Sequence, residues 1–166
     1  MKMLLINTKP KILNRAFTLI ELLVVISIIG ILAALATVSF TASQKQARDI
    51  NRKSDLSQYR TSLEAFANKN GGLYISYTSR ITPDTTANFC QAMGFTTCPG
   101  DPKSPDSYYS YISDGTGGGS TSATEYVLYA KLENISVPGY TNWVVCSNGK
   151  SGKLDNRNPT SGACPI

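Results

Sequence analysis

Residues 17–36, "FTLIELLVVISIIGILAALA", form an unbroken apolar run that carries one charge, Glu21. Such a run is long enough to cross roughly 30 Å of hydrocarbon as a helix. No proline interrupts it, and a lone Gly30 is tolerated in a membrane helix. Glu21 is the anomaly. A carboxylate in hydrocarbon costs roughly 2.5–3.5 kcal/mol on insertion scales, so its presence calls for a partner.

Beyond Phe40 the chain turns polar, yet it holds no Gly or Pro until Gly71. Leu56, Tyr59, Leu63 and Phe66 recur at steps of three and four, and Ala47 and Ile50 are three apart. This spacing predicts one apolar face of a helix over 41–70. Lys45/Asp49, Asp49/Lys53 and Arg60/Glu64 are opposite charges at i,i+4 and predict a solvated opposite face. Asn70-Gly71-Gly72 is a stop signal. If the two segments join, the helix covers about 52 residues, or roughly 78 Å.

Residues 71–107 hold Pro83, Pro99, Pro102 and Pro105 among scattered Gly, Thr and Asn, and predict a loop region. Strand-like runs follow: "YYSYIS" (108–113), "EYVLYAKLE" (125–133) and "NWVVCSN" (142–148). A Gly-rich loop, "DGTGGGSTSAT", joins the first two. Asn148-Gly149 signals a hairpin into a short strand near Lys153-Leu154. These connections are too short for helical crossovers, so the sheet is expected to be antiparallel. Tyr108, Tyr109, Tyr111, Tyr126 and Tyr129 are assigned to sheet faces rather than to a ligand site. The expected class is α+β: a long N-terminal helix packed on a small antiparallel sheet of three to four strands.

Composition narrows the chemistry. The chain has no histidine, which excludes Ser–His–Asp and Cys–His nucleophile pairs and His-containing zinc sites. The net charge of +5 is largely that of the N-terminal segment, which holds Lys2, Lys9, Lys11 and Arg15. The remainder carries twelve basic and eleven acidic residues. Acids interleave with bases over 45–60, which argues for a solvated face and against nucleic acid as a partner. Cys90, Cys98, Cys146 and Cys164 all lie after the apolar run, with no CxxC pair. Two disulfides in an oxidising compartment are expected. Three connectivities exist; Cys90–Cys98 and Cys146–Cys164 are preferred because both close short loops.

A basic start, an apolar run and the small residues Ala34-Leu35-Ala36 fit a secretory signal. The run is over-long for one, contains Glu21, and continues into a further helix. The stretch "AFTLIELLVVISIIGILAALA" instead resembles the N-terminus of type IV prepilins and type II secretion pseudopilins. That resemblance implies cleavage between Ala16 and Phe17 by a membrane aspartyl protease, the prepilin peptidase, and N-methylation of Phe17. Glu21 matches the family's glutamate four residues past the new terminus. It implies a carboxylate paired with the Phe17 amine of a neighbouring subunit, which sets register in a filament. Residues 45–77 look like the helix end and loop start of secretion-type major pseudopilins, whereas the Cys146–Cys164 loop leans toward pilins. Two departures stand out: Ala16 occupies the place of the usual Gly, and no Pro lies near Val38.

The resemblance implies a non-enzymatic filament subunit, either of a type IV pilus or of a secretion pseudopilus. Its domains are a cleaved leader (1–16), a transmembrane and assembly helix (17–40), an amphipathic continuation (41–70) and a globular head (71–166). Within the head, 71–107 is loop and 108–166 is sheet and C-terminal loop. Implied partners are identical and related pilin subunits, the prepilin peptidase, an inner-membrane assembly platform, and the membrane before assembly. The implied location is the bacterial cytoplasmic (inner) membrane, single-pass, with the C-terminal domain outside; an extracellular or periplasmic filament follows. The basic residues flanking the run balance, with Lys45, Arg48, Arg52 and Lys53 after it, so orientation rests on the cysteines' need for an oxidising side. No cofactor is expected. Asp101, Asp106 and Asp114 hold the oxygen ligands calcium takes in many secretion-type major pseudopilins, without EF-hand spacing, and solvated turns explain them more simply. A different class is a secreted or membrane-anchored binding domain that never polymerises.

Overall fold

The computed structural model describes residues 17–86, 88–134, 139 and 141–166, with the side chains of 36–39 left aside. Contacts divide the chain into one unit ending at Phe40 and a second running Thr41–Ile166. The boundary falls inside helix α1, Leu19–Lys69. In the first unit every described side chain from 17 to 35 is exposed. A helix apolar on all sides has no face to give to water and is built for lipid or for other helices.

In the second unit α1 buries Leu56, Tyr59, Leu63 and Ala67, spaced at three and four as a single stripe requires. Each buried leucine contributes roughly 1.5–3 kcal/mol. The helix stops where Asn70 N and Gly72 N both donate to Ala67 O, at 3.0 and 2.8 Å. Gly71 and Gly72 follow at φ 67° and 86°, a left-handed turn that costs glycine little.

The stripe faces an antiparallel sheet of order β2-β4-β5-β6, formed by Ser110–Ser113, Tyr126–Lys131, Asn142–Cys146 and Ser151–Leu154. Tyr109, Tyr111, Tyr126, Leu128, Ala130 and Val145 meet the helix side in one core. The alternate residues Ile112, Val127, Tyr129, Val144 and Cys146 form a second cluster on the other face, packed against Cys164 and Ile166 of the C-terminal segment. Both faces are therefore covered, which is why β4 is buried along nearly its whole length. The fold is α+β and pilin-like.

Two stretches differ from their sequence-based assignment. The 71–107 region holds strand β1, Tyr74–Tyr77, and a one-turn helix α2, Phe89–Ala92. The Gly-rich "loop" contains β3, Gly118–Ala123, which pairs antiparallel with β1 in a separate two-stranded sheet. Gly and Ser have low strand propensity, but this pairing needs small residues: a Cβ on Gly119, at φ 96°, would stand 3.0 Å from the Tyr77 hydroxyl. The helix stripe also differs. Ala47 and Ile50 point outward, Ile50 at 57% exposure, and buried Asp49 and Arg52 take the inward positions.

Candidate functional site

Thr18 and Glu21 open the apolar helix. The Glu21 carboxylate accepts from Thr18 N at 3.0 Å and from Thr18 Oγ1 at 2.8 Å, and Glu21 N donates back to Thr18 Oγ1 at 3.3 Å. This is a capping box, in which two N-terminal donors that have no helical partner are satisfied reciprocally. Among the described residues both carboxylate bonds use Oε2, which leaves Oε1 able to receive a second donor. Phe17, 80% exposed, precedes the cap directly. The role of Thr18 escaped the sequence reading, although Thr-x-x-Glu ahead of an apolar run is a recognised start signal. Ala16 and the leader 1–16 lie outside the described residues. The helix that begins here is long and apolar enough to cross a membrane.

Further along α1, Arg52 is buried, with 1% of its side chain exposed. It donates through Nε and Nη2 to Asp101 at 2.7 and 2.9 Å, and through Nη1 to Asp49 at 2.8 Å. Nη1 also lies 2.9 Å from Glu133 Oε1. Arg48 grips Glu133 with two parallel bonds of 2.7 and 2.6 Å. Asp49 in turn accepts the backbone N–H groups of Glu133 and Asn134. Two guanidiniums and three carboxylates thus fasten α1 to the 101–107 loop and to the turn after β4. Arg48's fork holds the Glu133 carboxyl down at about 2, against the opposing pull of burial. Burial pushes the Asp101 carboxyl up, but the bonds from Arg52 and Ser107, Arg52's charge and the Lys103 N–H together leave the group below its usual range.

The solvated face predicted from the Lys45/Asp49, Asp49/Lys53 and Arg60/Glu64 pairs is therefore partly wrong. Asp49 turns inward to Arg52, Glu64 accepts the hydroxyls of Tyr74 and Tyr126, and Lys53 lies 4.4 Å over the Trp143 ring. An i,i+4 count cannot see partners that other elements supply. The three loop aspartates are not brought together. Asp101 is engaged by Arg52. Asp114 accepts Thr124 N, Thr124 Oγ1 and Glu125 N, holding its own turn. Among the described residues no cluster of three or more metal-ligating side chains forms. Tyr109, Tyr111 and Tyr126 are buried in the helix-side core, with hydroxyls on Asp55, Ile75 O and Glu64. Cys90 is bonded to Cys98 and Cys146 to Cys164.

An apolar helix whose described side chains over 17–35 are all exposed, with a capped start, and a disulfide-bonded helix-and-sheet unit make up a pilin-like fold. The comparisons with known proteins agree with it. Residues 13–37 match the prokaryotic N-terminal methylation motif. Over 53 residues the chain is 43% identical to the type IV major pilin protein PilA of Myxococcus xanthus, a match covering 32% of this chain and 24% of that protein. The chain thus spans about a quarter of the length of the curated relative it matches. No solved structure matches significantly. The likeness is thus confined to the N-terminal third of the chain, which carries a prepilin-type motif and is similar to the matching part of a type IV major pilin.

Proposed function

We propose that this chain is a structural subunit of a type IV filament, anchored in a membrane by residues 17–40 and polymerised through that helix after processing. The carrying observation is the exposed, apolar start of α1, inside a matched methylation motif and bearing one carboxylate, Glu21, whose Oε1 has no partner among the described residues. Cleavage before Phe17 creates a free ammonium at the helix start. Glu21 of a neighbouring subunit is its counter-charge, since pairing removes much of the penalty for either group in an apolar bundle. A prepilin peptidase and a membrane assembly platform complete the proposed route. The filament is either a type IV pilus or a type II secretion pseudopilus, and neighbouring genes discriminate between them, retraction ATPase against secretion channel. The direct test is intact mass. The mature chain should begin at N-methyl-Phe17, and a terminus at Thr37 would instead mean ordinary secretion.

A further inference from the structure

A cleft of about 360 Å³ opens beside the arginine cluster, walled by side chains from three elements: Lys45 on α1, Lys103 on the loop before β2, and Lys131 at the end of β4. Among the described residues none of these three ammonium groups is in an ion pair. The carboxylates nearby are mostly committed. Glu133, which also lines the cleft, is gripped by Arg48 and Arg52. Arg48 and Arg52 face three carboxylates, leaving one surplus negative charge, and Asp106 on the cleft wall adds another. Three ammoniums exceed these by a single positive charge. That balance suits one monoanionic phosphodiester better than a dianion or a polyanion.

We propose that Lys45, Lys103 and Lys131 form a site for the headgroup phosphodiester of an anionic phospholipid. The inference rests on the membrane reading given under Proposed function. Lys45 follows Phe40 by five residues on the same helix, fewer than two turns at 3.6 residues per turn. With 17–40 in hydrocarbon, Lys45 falls at headgroup depth, where basic side chains extend toward lipid phosphates. A nucleic-acid backbone would need a succession of cations at phosphate spacing, whereas this cleft offers one group of three.

The test uses the full mature chain in phosphatidylcholine nanodiscs, titrated with phosphatidylglycerol while the resonances of Lys45, Lys103 and Lys131 are followed. All three should shift together and saturate. Lys103→Gln and Lys131→Gln should each weaken the response about fivefold, the worth of one lysine near a lipid surface. Lys150→Gln, outside the cleft, should leave it unchanged. A response confined to Lys45, or one insensitive to both substitutions, overturns the site. So does saturation by a single-stranded oligothymidylate without any response to phosphatidylglycerol. A chain that inserts into the discs but ignores phosphatidylglycerol sinks this proposal alone, whereas a chain that does not insert sinks it together with the membrane reading.

Discussion

Arg52 sits where the apolar stripe of α1 would place a leucine, and its removal tests what it holds. Arg52→Ala leaves Asp101, Asp49 and Glu133 short of a counter-ion in a buried site, and should cost about 3–5 kcal/mol in urea unfolding. Arg48→Ala, at a position with 27% of its side chain exposed, should cost about 1 kcal/mol or less. Glu133 gives the pH signature. Its folded pKa, about 2, lies below the ordinary 4.5, so its contribution is complete above 4.5 and is lost as the pH falls toward 2. Wild-type and Glu133→Gln stabilities should therefore converge on acidification through that window. At Glu21 the capping box sharpens the assembly test, because the motif accepts Gln as well as Glu. Were Glu21 only a cap, Glu21→Gln would assemble normally. The expected result is loss of sheared filament with both Glu21→Gln and Glu21→Val, at constant membrane-fraction protein. None of the arginine cluster was legible in sequence beyond its charges, because Asp101 and Glu133 lie 49 and 85 residues from the arginines they bind.

The C-terminal segment is the element that most depends on a covalent bond. The Cys146–Cys164 bond closes a separation of 18 residues and holds Ile166 against the outer face of the four-stranded sheet. Cys164→Ser should lower stability by about 3 kcal/mol, the loop-closure value for that length. Amide exchange should then quicken in β5 and β6 while Leu56 and Leu63 on the helix side stay protected. β4 and β5 were legible as strands because Tyr, Val, Leu and Trp mark them. β1 and β3 were not. A strand of sequence Gly-Gly-Ser-Thr-Ser-Ala exists because Tyr74–Tyr77 lies alongside it, and local propensity carries no trace of that neighbour.

For the whole molecule, the prepilin reading makes assembly wait on processing. Ala16→Leu should leave unprocessed precursor in the membrane and no filaments, since a protease site adapted to Gly or Ala has little room there; immunoblot and intact mass distinguish the two forms. The apolar helix, its continuation up to the Asn70-Gly71-Gly72 stop, the α+β class and the resemblance on which the functional proposal stands are all legible in the primary structure. These are local properties: hydropathy over twenty residues, a period of 3.6, a glycine stop, and a motif read in order. Tertiary packing alone makes Asp49 and Arg52 extend the buried stripe while Ile50 faces outward. It also decides that a glycine-rich stretch becomes a strand, and that three lysines far apart in the chain line one cleft. Burial of a charge is decided by partners, and the partners here arrive from the loop before β2 and the turn after β4, where no periodicity in α1 can announce them.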